Sequence, residues 1–531
     1  MGSKSRLDKL DGLLLIGLVL LSLLPALKYD FSVHPEEDAA ILLRYSQHLA
    51  EGHGIVWNVG EKPVDGATDF LFMVLLAGLA RIGLPLEIAA RSVGIISHFL
   101  TVILIYVAVR LLHGCPRWMA AASSAALAIG PAMGYIAGCF GTTFFALFAC
   151  ITWCLAVKLA RGDASRPTPA LFAMAGLVTG MIRPEGVFLA GLMLLAVVWM
   201  KGPKAAGRIT AWFAGVFLIL GGAYFLWRWS YFGYPLPNPY YTKGGGHLHW
   251  YSLKASIRNV MILSLPFAWI PFVSFGFREL RRQTVSVLVP LIGFTGLWVA
   301  LSNEMNYLMR FQYPLLPVML ISSPLLLTGV LENRKPAQPF PHRATAYAVV
   351  LVIVLAGIMI QQREFSSVRF GRIGNYDMAM MLRDYREEGY TMAVSEAGHL
   401  PFYSGWRAID TWGLNDHWIA HHGRIADSYL DRTKPEIIMF YAYFSPLAPP
   451  RGEKGRFYDM TMVLKRYAEK RGYVLAAVFG DEPTETHYYY VRRDFPDSAD
   501  IVRKIRRMDY FWWSNGARCT NYALVRRSVS R

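Results

Sequence analysis

Along the first two thirds of the chain, apolar residues form continuous runs of helical length joined by short basic connections. Along the last third they form short patches between charged helical stretches. Runs near 10–26, 68–84, 92–112, 118–136, 140–160, 169–182, 186–200, 209–228, 257–275, 285–301, 311–331 and 345–362 predict membrane-spanning helices. Several fall short of the roughly 20 residues a straight span needs, so about eleven spans are expected, twelve at most. The first run follows Lys4, Arg6 and Lys9, lacks a small-residue cleavage site and reads as an uncleaved anchor with its N-terminus inside. Basic clusters (Arg110 with Arg117; Lys158, Arg161 and Arg166; Lys201, Lys204 and Arg208; Arg278, Arg281 and Arg282; Arg334 with Lys335) belong inside. The connections near 137–142, 183–186, 229–256 and 302–310 then fall outside, as does everything after 362. That assignment requires 68–112 to make one net crossing, with one of its two segments re-entrant or interfacial.

After 363 the pattern alternates. Candidate strands at 391–395, 436–441, 473–479 and 487–491 are separated by helical patterns such as 377–388 and 460–471, and the Pro-rich 446–450 reads as a loop. The expected architecture is a polytopic all-α membrane domain, 1–362, whose first external loop, 28–67, carries interfacial helices. A small α/β domain, 363–531, follows on the outer face.

Composition sharpens this division. Of 531 residues, 54% are hydrophobic and 17% charged, against roughly 25% charged in a soluble domain. Residues 1–362 hold 28 Lys/Arg and 16 Asp/Glu, about 12% charged, while 363–531 hold 26 and 21, about 28%. An ordinary cytoplasmic enzyme, a disordered chain and a β-barrel are excluded, since the apolar runs are continuous rather than alternating. The net charge of +17 belongs to the inner connections; no basic helix or RNA-binding motif accompanies it, so no nucleic-acid partner is expected. Of five cysteines, only Cys519 lies in the polar part, which leaves no disulfide within that part and no zinc spacing.

The first external loop carries the densest chemistry. His34-Pro35-Glu36-Glu37-Asp38 opens a helical pattern, with Pro35 suited to a helix start and acids in the first turn. Acids there complement the helix dipole. Adjacent carboxylates can also raise one another's pKa and supply a base near neutral pH.

The run Glu37-Asp38-Ala39-Ala40-Ile41, Arg44-Tyr45, Leu49-Ala50-Glu51-Gly52-His53-Gly54-Ile55-Val56-Trp57-Asn58, Gly60-Glu61 and Val64-Asp65-Gly66-Ala67-Thr68-Asp69-Phe70-Leu71 resembles a motif of GT-C membrane glycosyltransferases, in the group of the mycobacterial terminal arabinofuranosyltransferase. Ordered matches continue at Arg183-Pro184-Glu185-Gly186, at 231–238 with Tyr241 and Lys243, at Arg310-Phe311 before 314–317, and at Glu396-Ala397-Gly398, 403–405 and 409–416. The resemblance implies inverting transfer of a sugar from a polyprenyl-phosphate donor to an acceptor glycan hydroxyl, on the outer face of the bacterial cytoplasmic membrane. It places the catalytic acid pair on Glu37 and Asp38. The chain departs from the pattern at Glu37, Ala40, Gly141 (where the family has an acid) and Asp69 (a new carboxylate), and these departures bear on sugar and acceptor more than on reaction class.

A lipid phosphate leaving group needs no general acid, so one base and a set of cations suffice. The cations expected outside are Arg44, Arg183, Lys243 and Arg310. Arg183 with Glu185 also reads as a pair holding a hairpin, and Arg310 as a snorkelling side chain. Expected substrate contacts are Asp65, Asp69, Glu185, Asn238, Tyr241, Glu396, Asp410, Asn415 and Asp416. The aromatics of 229–251 fit an interfacial belt or sugar stacking. His417 and His421, spaced i, i+4 beside Asp410 and Asp416, allow a metal reading, but surface polar groups or sugar contacts suit that segment better; no cofactor is required, and a divalent metal is optional because Arg and Lys can hold a monophosphate. Competing readings are a polyprenyl-phosphate hexose or aminoarabinose transferase acting on lipid A or protein, an oligosaccharide ligase, and a transporter. The last is opposed by the lack of inverted halves.

Overall fold

In a computed structural model, residues 7–162, 165, 167–333, 343–366, 371–450 and 455–525 are described. Among these, six helices are long and apolar enough to cross a membrane: Lys9–Lys28, Leu86–Leu112, Arg117–Ala137, Thr142–Ala160, Pro203–Phe232 and Leu315–Asn333. A seventh results if Trp250–Ser264 and Trp269–Phe275 count as one span. Those two helices meet at 90°, which corrects the expectation of a straight span over 257–275. The break falls at Leu265-Pro266, where a proline without an N–H cannot continue the ladder. In the 68–112 stretch, Phe70–Arg81 is too short to span and Leu86–Leu112 is long enough.

The C-terminal part is built on one mixed sheet of strands β1 (Thr391–Val394), β2 (Arg407–Asp410), β3 (Ile437–Ala442), β4 (Val474–Glu482), β5 (Glu485–Val491) and β6 (Thr520–Asn521). Their order is β2-β1-β3-β5-β4-β6, with β1 parallel to β2 and β3 and the other pairings antiparallel. All four expected strands are present; β2 and β6 are additional. The two-residue side-chain alternation splits the sheet's apolar residues between two cores. Met392, Val394, Met439, Phe479, Tyr489 and Val491 join a core continuous with the membrane helices. Ala393, Ile438, Phe440, Val478, Tyr488 and Tyr490 pack on the opposite face with Leu464 of helix Arg456–Lys470. The sheet is therefore seated on the helical part through a shared interior, and helix Glu37–Ala50 lies at the junction.

Candidate active site

The junction helix separates two acids that are adjacent in sequence. Successive helical residues point about 100° apart, so Glu37 and Asp38 face different neighbours. Asp38 faces a cavity and accepts from Arg310, Nη2 to Oδ2 at 2.6 Å. Glu37 faces the C-terminal part, where its Oε1 accepts from Gly398 N at 2.5 Å and His399 N at 3.2 Å. Its Oε2 lies 2.6 Å from His399 Nδ1.

His399 Nε2 also meets the Pro35 carbonyl oxygen at 2.7 Å. A carbonyl and a carboxylate both accept, so these two neighbours favour the protonated form of the buried ring. Burial pushes the Glu37 carboxyl up, but the His399 charge and the three hydrogen bonds overcome it and hold the group below its ordinary value. Burial likewise pushes His399 down, and the Glu37 carboxylate reverses that, leaving His399 above its ordinary value. Two further acids go the other way. Glu36, 8% exposed, is pushed up to about 7 by burial, with the Asp38 and Glu37 charges adding and His399 opposing. Glu396 is pushed up to about 8 by burial and by the Glu37 and Asp38 charges.

The cavity beside Asp38 has a volume of about 450 Å³. Its lining combines charged side chains, Asp38, Asp69, Arg183, Glu185, Lys243 and Arg310, with apolar ones including Phe188, Leu236, Leu297, Trp298, Leu301 and Phe311. Arg183 is spent on two acids, bonding Asp69 Oδ1 and, from Nε at 2.6 Å, Glu185. The Arg310 guanidinium sits 4.2 Å from the centroid of Phe140 and 5.0 Å from that of Phe311, a cation–π cradle that fixes its head while it holds Asp38. Lys243 differs from both: among the described residues its ammonium has no ion pair, and burial holds its pKa below the ordinary value. A desolvated cation facing an open cavity is suited to receive an anion.

Left-handed backbone at non-glycine residues borders the cavity on two loops, at Cys139 (φ 63°) and at Met305, Leu308 and Met309 (φ 58°, 49° and 63°). Such conformations are strained for these side chains and gather where surrounding structure over-determines them. Here they deliver Phe140 and Arg310 to the cavity.

Six of the fifteen expected site residues therefore come together: Asp38, Asp69, Arg183, Glu185, Lys243 and Arg310. The others serve different places. Arg44, expected at the phosphate, instead donates to the carbonyls of Trp57 (2.8 Å), Pro401 and Trp406 (2.9 Å) and to Asn58 Oδ1 (3.1 Å). Every arm of its guanidinium is occupied, so it acts as a clip between the first loop and the C-terminal part.

Asp65 pairs with Arg228 outside the cavity lining. Asn238 Nδ2 donates to the Gly413, Leu414 and Asp416 carbonyls, and Tyr241 packs on Tyr234 and His421. Asp410 accepts from the backbone of Trp412, Gly413 and Asn415. Asn415 accepts from Tyr45. Asp416 caps helix His417–His422 and accepts from Tyr429. Glu396 is absent from the cavity lining. Among the described residues, no three His, Cys, Asp or Glu side chains come together as a metal-binding group; His417 Nε2 meets the Pro63 carbonyl and His421 stacks on Tyr234.

Sequence reasoning passed over Glu36, Arg228 and His399. An arginine inside the apolar, aromatic run 209–228 was itself a signal for Arg228. His399 directly follows the matched Glu396-Ala397-Gly398, but nothing local indicates that it reaches Glu37.

A helical part capped by a mixed sheet, with a cavity of charged and apolar lining at their junction, is a fold this chain shares with solved membrane enzymes. The crystal structure of ArnT from Cupriavidus metallidurans bound to undecaprenyl phosphate superposes with a TM-score of 0.56 at 14% identity, covering 90% of this chain and 97% of that one. The archaeal oligosaccharyltransferase AglB from Archaeoglobus fulgidus, in complex with an inhibitory peptide and a dolichol-phosphate, gives 0.51 at 13%, covering 91% and 74%. Mycobacterial arabinofuranosyltransferase AftD gives 0.52 at 17%, covering 93% and 40%. In sequence, 249 residues are 22% identical to the terminal β-(1→2)-arabinofuranosyltransferase of Mycobacterium tuberculosis, 45% of this chain and 39% of that protein, so the match spans about two fifths of the relative's length. A family model described as a domain of unknown function (DUF8728) matches residues 361–496.

Proposed function

We propose that the protein is an inverting glycosyltransferase that moves a sugar, best matched by arabinofuranose, from a polyprenyl-phosphate donor to an acceptor glycan hydroxyl. In this reading about eleven helices in 1–362 cross the bacterial cytoplasmic membrane, and 363–531 covers the catalytic mouth on the periplasmic side. The observation that carries it is the cavity of about 450 Å³ in which apolar lining residues, Lys243 without an ion pair among the described residues and the Arg310-held Asp38 converge. The polyprenyl chain lies against the apolar lining residues and the phosphate meets Lys243. Asp38 Oδ1, left free by Arg310, accepts the proton of the acceptor hydroxyl as its oxygen forms the bond to the anomeric carbon. The bond from that carbon to the phosphate oxygen breaks on the opposite face, and its electron pair leaves with the polyprenyl phosphate, which needs no protonation. Glu37 acts at one remove: its bond to His399 sets the start of the helix, and so the aim of Asp38.

The test is Asp38→Asn in purified protein. Sugar transfer from a panel of polyprenyl-phosphate sugars should fall by roughly 10²–10⁴-fold, the usual worth of a general base, with undecaprenyl phosphate still bound. Full transfer by the variant removes Asp38 from the role. Substrate movement across liposomes without covalent transfer removes the enzyme reading altogether.

A further inference from the structure

Asp69 holds a position its local structure does not explain. It stands at the N-cap of helix Phe70–Arg81, where an aspartate ordinarily bonds the free N–H groups, yet its side chain makes no capping bond. It is turned into the cavity instead, where Oδ1 is held by Arg183. Among the described residues, no donor reaches Oδ2, and the Asp69 side chain is only 11% exposed. A carboxylate oxygen that opens on the cavity without a protein donor can accept from a ligand there.

Room for that oxygen exists because residue 141 is glycine. A Cβ there would lie 2.9 Å from Asp69 Oδ2 and 2.8 Å from Phe72 Cδ1, closer than real contacts allow, and the Phe72 ring is fully buried and cannot yield. Any larger residue at 141 would drive Asp69 off its place. The other flank of Arg183 repeats the arrangement: Glu185 gives Oε1 to the guanidinium and keeps Oε2 without a donor among the described residues. The cavity thus holds Lys243, without an ion pair among the described residues, together with acceptor oxygens anchored on Arg183.

We propose that Asp69 Oδ2, in the space left by Gly141, accepts a hydroxyl of the donor's sugar, so that Asp69 reads the sugar while Lys243 reads the phosphate. This rests on the polyprenyl-phosphate donor reading and assigns its two ends to different residues. The ligand class for the Asp69 end is a neutral polyhydroxyl ring, which supplies donors to both free oxygens.

The experiment measures the binding of two lipids to detergent-purified full-length protein: undecaprenyl phosphate, which lacks a sugar, and decaprenyl-phosphoryl-arabinose, with mannose and aminoarabinose counterparts alongside. Asp69→Ala and Gly141→Ala should each weaken the best-bound sugar lipid by about 10–100-fold, the span of a hydrogen bond to a charged acceptor. Undecaprenyl phosphate should stay within about twofold of wild type, which also shows that the variants are folded. Asp69→Asn, which keeps the shape, should lose affinity for the sugar lipid in the same direction but by less. Equal losses for both lipids, or no loss for the sugar lipid, overturn the assignment. If the wild-type protein binds neither class, the donor reading fails, and that outcome is distinct because no variant is needed to see it.

Discussion

Two sets of buried charges, one on each side of helix Glu37–Ala50, are put to opposite uses. On the C-terminal side, Glu37 accepts from two backbone N–H groups and lies 2.6 Å from the His399 ring, and Arg44 donates to four acceptors. On the cavity side, among the described residues, Asp38, Asp69 and Glu185 each keep one oxygen without a donor and Lys243 has no ion pair. Saturated charges fasten one part of a molecule to another, whereas charges with capacity left over are costly in the empty protein and suit a ligand that completes them. The motif residues of one short segment therefore divide between scaffold and chemistry.

The sharpest way to break this comparison is to remove one charge from each side. Arg44→Ala removes four hydrogen bonds: Asn58 Oδ1 keeps Ala408 N and the Pro401 carbonyl keeps Gly405 N, but the Trp57 and Trp406 carbonyls lose their side-chain donor at roughly 1–3 kcal/mol each, for a net loss of about 3 kcal/mol. Thermal unfolding should move down strongly, and protease should release the C-terminal part. Lys243→Met deletes a desolvated charge and should leave the melting temperature unchanged or raised, while undecaprenyl phosphate affinity falls at least tenfold. If Lys243→Met proves the more destabilising of the two, the division between scaffold and chemistry is wrong.

A smaller effect is expected from pH. His399 sits above its ordinary value, so its contribution is complete below the unfolded imidazole pKa and fades as pH rises through the folded one. Glu37 sits below its ordinary value, so its contribution is complete above the unfolded carboxyl pKa and fades as pH falls through the folded one. Glu36 and Glu396, raised to about 7 and about 8, resist ionisation in the fold and add a loss of stability with rising pH, of the same sign as His399. Stability should therefore peak in mildly acidic buffer and decline toward pH 9. Glu36→Gln should flatten part of that decline, as measured by urea unfolding across the range.

The same division explains what the sequence made legible. Hydropathy located the apolar helices, and short, largely apolar runs marked β1, β3, β4 and β5, whose central residues are buried. It missed β2, whose four residues begin with an exposed arginine, and it read 257–275 as straight, because a hydropathy window carries no information about a bend. Arg183, Glu185, Lys243 and Arg310 stood out as ionisable residues between apolar runs. The direction of each acid in Glu37-Asp38 did not, since facing depends on which tertiary neighbour occupies each side. Arg44 fitted the expected chemistry of a phosphate ligand, and only the carbonyls of Pro401 and Trp406, more than 350 residues away, reveal its role as a clip.

The finest test of the saturated side is its redundancy. β2 is an edge strand, and its outward backbone at Ala408 is covered by side chains of the first loop rather than by another strand. Asn58 Oδ1 accepts from Ala408 N at 3.0 Å, Asn58 Nδ2 donates to Ala408 O at 3.0 Å, and Trp57 Nε1 donates to that same oxygen at 2.8 Å. Trp57→Phe removes one of two donors to a carbonyl that stays satisfied, and it keeps an aromatic face for the Arg44 guanidinium, now 4.8 Å from the indole. The cost should be only about 1 kcal/mol. Asn58→Leu takes both the acceptor and the second donor from the edge, so Trp57→Phe made on top of it should cost clearly more than it does alone, a coupling that a double-mutant cycle of unfolding free energies reads directly. If the two changes add independently, the Trp57 and Asn58 side chains are not sharing the Ala408 oxygen, and the fastening at this edge is looser than the geometry describes.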